Sequence, residues 1–496
     1  MPVPFNNIPA GNGVKVPLFY AEMDNSQASY FSQSVRSLLI GQKLAGGSAA
    51  LNTPYIVSST SQAIALFGQG SMLARMHAIF RQSNPVGEVW AIAVADNAAG
   101  VAATGTITVA GPATAAGSIN LYIAGQKIQV AVGSTDAATV IATNINAAIN
   151  AALDLPVTST VASAVVTLTA RWKGLTGNDI TVQDSFRGNA GGETLPTGVT
   201  LTYAAMASGT LAPALSPVIS AMGDDPYDFV IHPYNDSASL AVFATEFGDS
   251  SGRWSWARQV YGHCYTALRG TLSALVTAGG LNNDPHHTIA AIDVDCPHPV
   301  WEYAAAYGAR NAVYIAADPA RPTQTGQLTG LIAPRTGKKF LWSDRNSLLG
   351  YGIATSMVVS GVIQIERAIT TYQKNTFGVA DYSYLDSETL HTAAYVLRYL
   401  QSAITSKYAR HKLGNDGVRF AAGNAVVTPA VIRGELIAAY DSLVSLGIVE
   451  NREAFASYLI VERDTTNPNR LNILFPPDYV NQLRVFALLN QFRLQY

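Results

Sequence analysis

Short apolar runs separated by helix-patterned stretches constrain this chain most. GEVWAIAVAD, PYDFVIHPY and HTIAAIDVD set apolar residues almost side by side. A strand buried on both faces reads this way, because neither face has to stay polar. The intervening segments carry helical patterning, as in VWEYAAAYGARNAVYIAA. Strands alternating with helices predict a sheet sandwiched between helices, so the expected fold class is α/β.

The chain has 496 residues, too many for a single core, and several domains are expected. Residues 1–30 are punctuated by Pro2, Pro4, Pro9, Gly11, Gly13 and Pro17. They read either as a frayed terminus or as an extended arm laid on a neighbouring subunit, whose ordering is costly unless that neighbour holds it. Residues 31–96 read as the first part of the α/β core. NTPYIVSS is a strand with Tyr55 and Val57 on one face, and two short helices follow. Residues 97–209 are rich in Ala, Thr, Gly and Val and read as an inserted β-rich surface domain. SINLYIAGQKIQVAVG is a hairpin turning at Gly125. DAATVIATNINAAINAAL is a helix with Val140, Ile141, Ile145 and Ile149 along one face.

Residues 210–380 resume the core. SLAVFATEF and WSWARQVYGHCYTALRGTLSALVTAGG read as helix material. The 20 residues from Asn346 to Ile365 carry no charge and read as a helix buried in a large core, in preference to a membrane span. Residues 381–470 read as a C-terminal α+β domain of two amphipathic helices and two strands. Thr428 is placed to cap the second helix before Pro429. Residues 471–496 read as a closing strand and arm, and the last 20, PDYVNQLRVFALLNQFRLQY, as either a strand or a short amphipathic helix. An exposed strand edge invites pairing with another chain.

Charge narrows the function. Lys and Arg number 31 and Asp and Glu 33, so 13% of the chain is charged, against roughly 25% in ordinary soluble proteins. Free monomers keep their surfaces charged. A chain this sparsely charged suits a subunit largely covered by copies of itself. The net charge of −2 supplies no basic field, so direct nucleic-acid binding is not expected. The opening MPVPFNNIPAGNG has neither a basic head nor an apolar run, so no export signal is expected.

Catalytic signatures are weak. Asp284, His286, His287, Asp293, Asp295, Cys296 and His298 cluster in NNDPHHTIAAIDVDCPHPVW, but a strand separates two polar ends. Asp295, Cys296 and His298 match no strong metal spacing. The expectation is loops tied at strand ends, with Cys264 and Cys296 as buried small hydrophobes. GQGSML reads as a turn and helix start, since the Walker lysine is missing. Asp224 and Asp225 read as a solvated turn, and Trp254 and Trp256 as packing groups beside Arg253 and Arg258. No catalytic residue, metal ligand or cofactor is expected.

GGLNNDPHHTIAAIDVDCPHPVWEYAAAYGARNAVYIAADPARPTQTGQLTGLIAP, Gly279 to Pro334, resembles the central signature of contractile phage tail sheath proteins of the Mu-like branch. Pro299-Val300-Trp301-Glu302 and Asp318-Pro319-Ala320-Arg321-Pro322 are its most particular parts. IPAGNGVKVPLFYAEMDNSQA is similar to the family's N-terminal arm, and FPPDYVNQLRVFALLNQFRLQY to its C-terminal segment. The resemblance implies a multidomain sheath core with extended arms at both ends. It implies stacked hexameric rings around a tail tube, contraction on a baseplate trigger, and genome delivery through the host envelope. Implied partners are other copies of the chain, the tube protein, and baseplate and tail terminator proteins. Neither direct nucleic-acid contact nor stable membrane insertion is implied, and the place of action is the virion tail, assembled in host cytoplasm. The related possibilities are a bacteriocin-like injection sheath and, from another class, a surface-layer or adhesion protein. Intersubunit linking is expected of Val14, Val16, Leu18 and Tyr20, and of Leu483, Val485, Phe486, Phe492 and Leu494. Asp318, Arg321 and Arg335 are the expected members of an intersubunit polar network. No protease triad transfers to this chain.

Overall fold

The computed structural model describes residues 15–16, 35–421 and 423–495. Val14, Leu18 and Tyr20 of the expected arm lie outside the described residues, and Val16 is exposed.

The chain enters its core through β1 (Arg36–Gln42), β2 (Pro54–Ile56), α1 (Thr60–Phe67), α2 (Met72–Ser83) and β3 (Glu88–Val94). Gly68 and Gly70 take positive φ between the two helices, and Ser71 Oγ accepts the Ala74 N–H to cap α2. GQGSML is therefore a turn and a helix start.

The insert contains β4 (Thr104–Ala110), β5 (Gly117–Ile123), β6 (Gln126–Val132), α3 (Ala138–Ala151), β7 (Val157–Ala162), β8 (Val165–Ala170), β9 (Val182–Asp184) and β10 (Thr200–Ala207). Its strands form two antiparallel sheets, ordered β10-β4-β8-β7 and β6-β5-β9. Ile141, Ile145 and Ile149 of α3 are buried between them, whereas Val140 is turned outward, one position off the stripe expected for it.

The core resumes with α4 (Ser216–Met222), β11 (Phe229–Ile231), α5 (Ser237–Phe247), β12 (His263–Arg269), α6 (Leu272–Gly280), β13 (His287–Ile292), α7 (Val300–Ala317), α8 (Trp342–Gly350), β14 (Thr355–Val359) and β15 (Val362–Arg367). The main sheet runs β13-β12-β11-β1-β3-β2, parallel except for β2 at its edge. Alternate residues serve opposite faces. Leu39, Phe229, Ile231 and Tyr265 meet α2 and α7, while Leu38, Ile40, Val230 and Cys264 meet α4 and α5.

Two expectations are corrected here. HCYTALR is the strand β12, not helix: it lies between β11 and β13 and is buried through its first five residues. The stretch Asn346–Ile365 is not one helix. It finishes α8 and then folds into the β14–β15 hairpin, whose turn residues Ser360 and Gly361 have φ of 50° and 80°. Among the described residues no helix is long and apolar enough to cross a membrane.

On α7, a Cβ at Gly308 would stand 2.5 Å from Ile231 Cγ1 and Cδ1. That contact sets how closely the helix approaches the sheet. Gly308→Val is expected to cost about 1–3 kcal/mol through overpacking, read as a lower urea midpoint. An unchanged midpoint would show that the helix can back away freely.

The C-terminal part holds α9 (Ser387–Tyr408), β16 (Lys412–Leu413), β17 (Val426–Val427), α10 (Pro429–Ser445), α11 (Arg452–Tyr458), β18 (Ile460–Arg463) and β19 (Leu471–Leu474). Thr428 caps α10 by accepting from the Val431 N–H, with Pro429 at the first turn. Tyr440 stacks on Phe455 at 3.7 Å, and Phe475 meets that ring edge-on at 4.9 Å.

Candidate assembly site

After β19 the chain forms neither the strand nor the helix expected of it, among the described residues. It runs extended, and its first part is fastened down. The Asp478 carbonyl accepts the Glu450 N–H at 2.8 Å, and Val480 N–H donates to Ile448 O at 3.2 Å. Gln482 donates to the Ala320 carbonyl at 3.0 Å. Arg484 then closes the anchor. Its guanidinium reaches Asp386 at 3.0 Å and the fully buried Glu388 at 3.1 Å. Glu388 also accepts the Thr323 N–H and hydroxyl.

Past Arg484 the environment changes. Val485, Phe486, Leu488, Leu489, Phe492 and Leu494 are between 75% and 92% exposed. In an extended chain, Phe486, Leu488, Phe492 and Leu494 fall on one face. Leaving such side chains in water forgoes about 1.5–3 kcal/mol each. A strand has no internal hydrogen bonds to hold it, so this segment needs an external edge before it can become one.

An edge of the right kind sits in the same domain. β18 and β19 form a two-stranded antiparallel ribbon whose Ile460, Ile473 and Leu474 are exposed. Two strands alone are marginal in water, and added strands stabilise them.

The polar residues expected to cooperate are placed apart. Asp318 ends α7, and its carboxylate accepts the Ala320 N–H at 3.1 Å. Arg321 donates its backbone N–H to the Asp318 carbonyl at 3.3 Å and exposes its side chain. Arg335 instead grips Asp295, with Nε 3.1 Å from both carboxylate oxygens, and covers the Phe186 ring at 5.4 Å. Asp318 and Arg321 thus share one turn, and Arg335 ties the insert to the loop after β13. Arg321→Ala is expected to leave the fold intact and lower assembly yield. Unchanged yield would remove Arg321 from the network.

The signature residues Pro299 to Glu302 face inward, as a seam between insert and core. Trp301 meets Trp172 of the insert edge-on at 5.2 Å. Asp179 of the insert accepts the Val300 N–H at 2.6 Å and pairs with Arg269 at 2.7 Å. Glu302 is buried, with Arg75 at 2.9 Å on one oxygen and His298 Nδ1 at 2.7 Å on the other. Arg75, Asp179, Arg269 and Arg484 were not singled out from the sequence. Each meets a partner far along the chain, and no local pattern signals it.

The His/Asp/Cys cluster disperses as its strand requires. His286 faces Asp249 at 3.1 Å, Asp293 accepts the Phe340 N–H at 2.6 Å, and Asp295 holds Arg335. Cys296 Sγ points at the Ile332 carbonyl, 3.7 Å away, while His298 faces Glu302. Burial pushes the Cys296 thiol up to about 12, so it is no thiolate nucleophile at neutral pH. Cys264 and Cys296 are buried and free. Arg253 is fully buried and donates to the carbonyls of Gly223, Asp225 and Tyr261. Trp254 is half-buried and Trp256 exposed, which is a packing corner and no stacking platform. One grouping was missed in the sequence: His232, Cys264 and His287 converge on a single face of the main sheet.

A multidomain α/β protein emerges, with apolar cores, a polar and aromatic seam between insert and core, and an exposed apolar segment at one end. Three family models match the chain: the phage tail sheath protein beta-sandwich domain over residues 98–200, the central domain over 209–371 and the C-terminal domain over 379–493. The Mu-like prophage FluMu tail sheath protein of Haemophilus influenzae is 39% identical over 497 residues, covering 100% of both chains. Among solved structures, a sheath tail protein of Desulfitobacterium hafniense is 12% identical, with a TM-score of 0.49 over 95% of this chain and 97% of its own. One from Listeria innocua is 10% identical, with a TM-score of 0.47 over 92% and 94%. The chain belongs to the phage tail sheath protein family. It is a structural subunit of a contractile phage tail, and its place is the tail sheath of the virion.

Proposed function

We propose that this subunit polymerises as hexameric rings stacked helically around a tail tube, and that the stack shortens and widens on a baseplate signal to drive the tube through the host envelope. The observation that carries this reading is the apolar segment beyond Arg484, where Val485, Phe486, Leu488, Leu489, Phe492 and Leu494 are exposed in one short extended run. Its natural seat is the β18–β19 ribbon of a neighbouring copy, joined by backbone hydrogen bonds along the strand. Links of this kind are flexible where they leave the domain, so subunits stay tethered while ring contacts rearrange. Partners are other copies, the tube protein, and the baseplate and terminator proteins. In this arrangement the insert of residues 97–209 faces outward, as a self-contained decoration.

Disulfide trapping tests the seat. Leu488→Cys is combined in turn with Ile460→Cys, Ile473→Cys and Leu474→Cys, on exposed positions. At least one pair is expected to give a ladder of covalent oligomers under oxidation. Ladders from none of the pairs, in preparations that do form sheaths, would reject the ribbon as the acceptor.

A further inference from the structure

Cys264 on β12 and His287 on β13 are direct cross-strand partners. Val230 pairs with Cys264, and His232 lies two residues beyond it, so all three side chains leave the same face of the sheet. One donor atom from each lies within 4.8 Å of the others. The three residues are between 0% and 2% exposed.

The site is polar where its surroundings are not. Neither ring nitrogen of His232 has a hydrogen-bond partner among the described residues, and the same holds for His287 Nε2 and Thr266 Oγ1. The Tyr234 backbone lies near His232 without hydrogen-bonding geometry. A buried polar group left unpaired is destabilising, and several that converge on one point favour an occupant. The His232 ring is held by stacking on Phe243 at 3.9 Å and stands edge-on to His287 at 4.9 Å. Behind His287, Nδ1 faces an Asp284 carboxylate oxygen at 3.9 Å. A carboxylate behind a ligating imidazole fixes its tautomer and aim. A cleft of about 230 Å³ lined by Asn282, Asp284, His287 and Thr371 adjoins the site on the His287 side.

We propose that His232, Cys264 and His287 bind a zinc ion, with water or a neighbouring hydroxyl as fourth ligand. Two imidazoles and one thiolate are a donor set suited to this borderline-soft cation. Zn–S of about 2.3 Å and Zn–N of about 2.0–2.1 Å place tetrahedral donors roughly 3.5 Å apart, inside the 4.8 Å within which the three donor atoms already lie. The thiol gives up its proton to solvent when the metal–sulfur bond forms, with no change of oxidation state. The ion cross-links β11, β12 and β13, three neighbouring strands of the sheet that carries the subunit. It is a staple inside each copy, separate from the arms between copies.

The test uses the full chain. Metal analysis of protein purified without chelator or added metal is expected to find about one zinc per chain. Chelated protein, refilled with cobalt(II), is expected to show a thiolate-to-cobalt charge-transfer band. Cys264→Ser should abolish the band, and His232→Gln should weaken zinc binding by more than the roughly 10–100-fold that loss of an outer-shell partner costs. If these variants misfold, the wild type still decides. Folded wild type that retains no zinc and gives no cobalt band overturns the proposal, and leaves buried water as the occupant. Undiminished zinc in a folded Cys264→Ser/His287→Gln variant also overturns it, as metal bound elsewhere.

Discussion

Deleting residues 485–496 is expected to give a folded, monodisperse subunit that forms no sheaths. The cut point follows from the anchor. Cutting from residue 477 would also remove Asp478, which carries the backbone bond from Glu450, and Arg484, which pairs with the buried Glu388. Stripping a partner from a buried charge costs about 3–5 kcal/mol, so that larger deletion mixes assembly with folding. Cutting at 485 removes side chains that are exposed at every described position, 485–495, and little stability should go with them. Thermal unfolding within a degree or two of wild type, with assembly lost in electron micrographs, is the expected pair of results. Normal tubular sheaths from this variant would end the role of the segment as a link.

Glu302→Ala is expected to be the most damaging single substitution at the seam, by about 3–5 kcal/mol, because it leaves Arg75 and His298 without their shared carboxylate. It should show as a sharply lower urea midpoint or loss of soluble protein. Burial by itself would raise the Glu302 pKa, but Arg75 and His298 outweigh it and hold it below its ordinary 4.5. A carboxylate with a lowered native pKa contributes stability above its unfolded value and loses it as pH falls through the native one. Wild type should therefore lose more stability than Glu302→Gln on acidification below about pH 4.5. Equal loss in both proteins would show that Glu302 contributes no pH-linked stability.

These residues also show what the sequence can reveal. β3 and β13 were legible because parallel strands buried on both faces are written as unbroken apolar runs. β12 was not, because its seven residues sit between a Trp/Arg corner and a true helix, and Ala267 and Leu268 suit either state. The charge-free stretch from Asn346 was read as one helix, although Ser360-Gly361 is a turn dipeptide whose positive φ values close a hairpin. The cap at Thr428 was legible because hydroxyl-then-proline is a local code. The seam was half legible: Trp301 and Glu302 stood out, but Trp172, Arg75 and Asp179 arrive by tertiary folding alone. His232 and Cys264 escaped for the same reason, since sheet pairing brings them to His287. At the C-terminus the apolar residues were legible, but the strand or helix expected of them is absent among the described residues, where the segment runs extended and exposed.

Negative-stain electron microscopy of the purified full-length chain, with and without tube protein as template, bears most directly on the central claim. Hollow tubes or stacked rings in at least one of the two samples are predicted. Small monodisperse particles in both, across concentration and salt, would contradict a subunit that assembles by lending its terminal strand to the next copy.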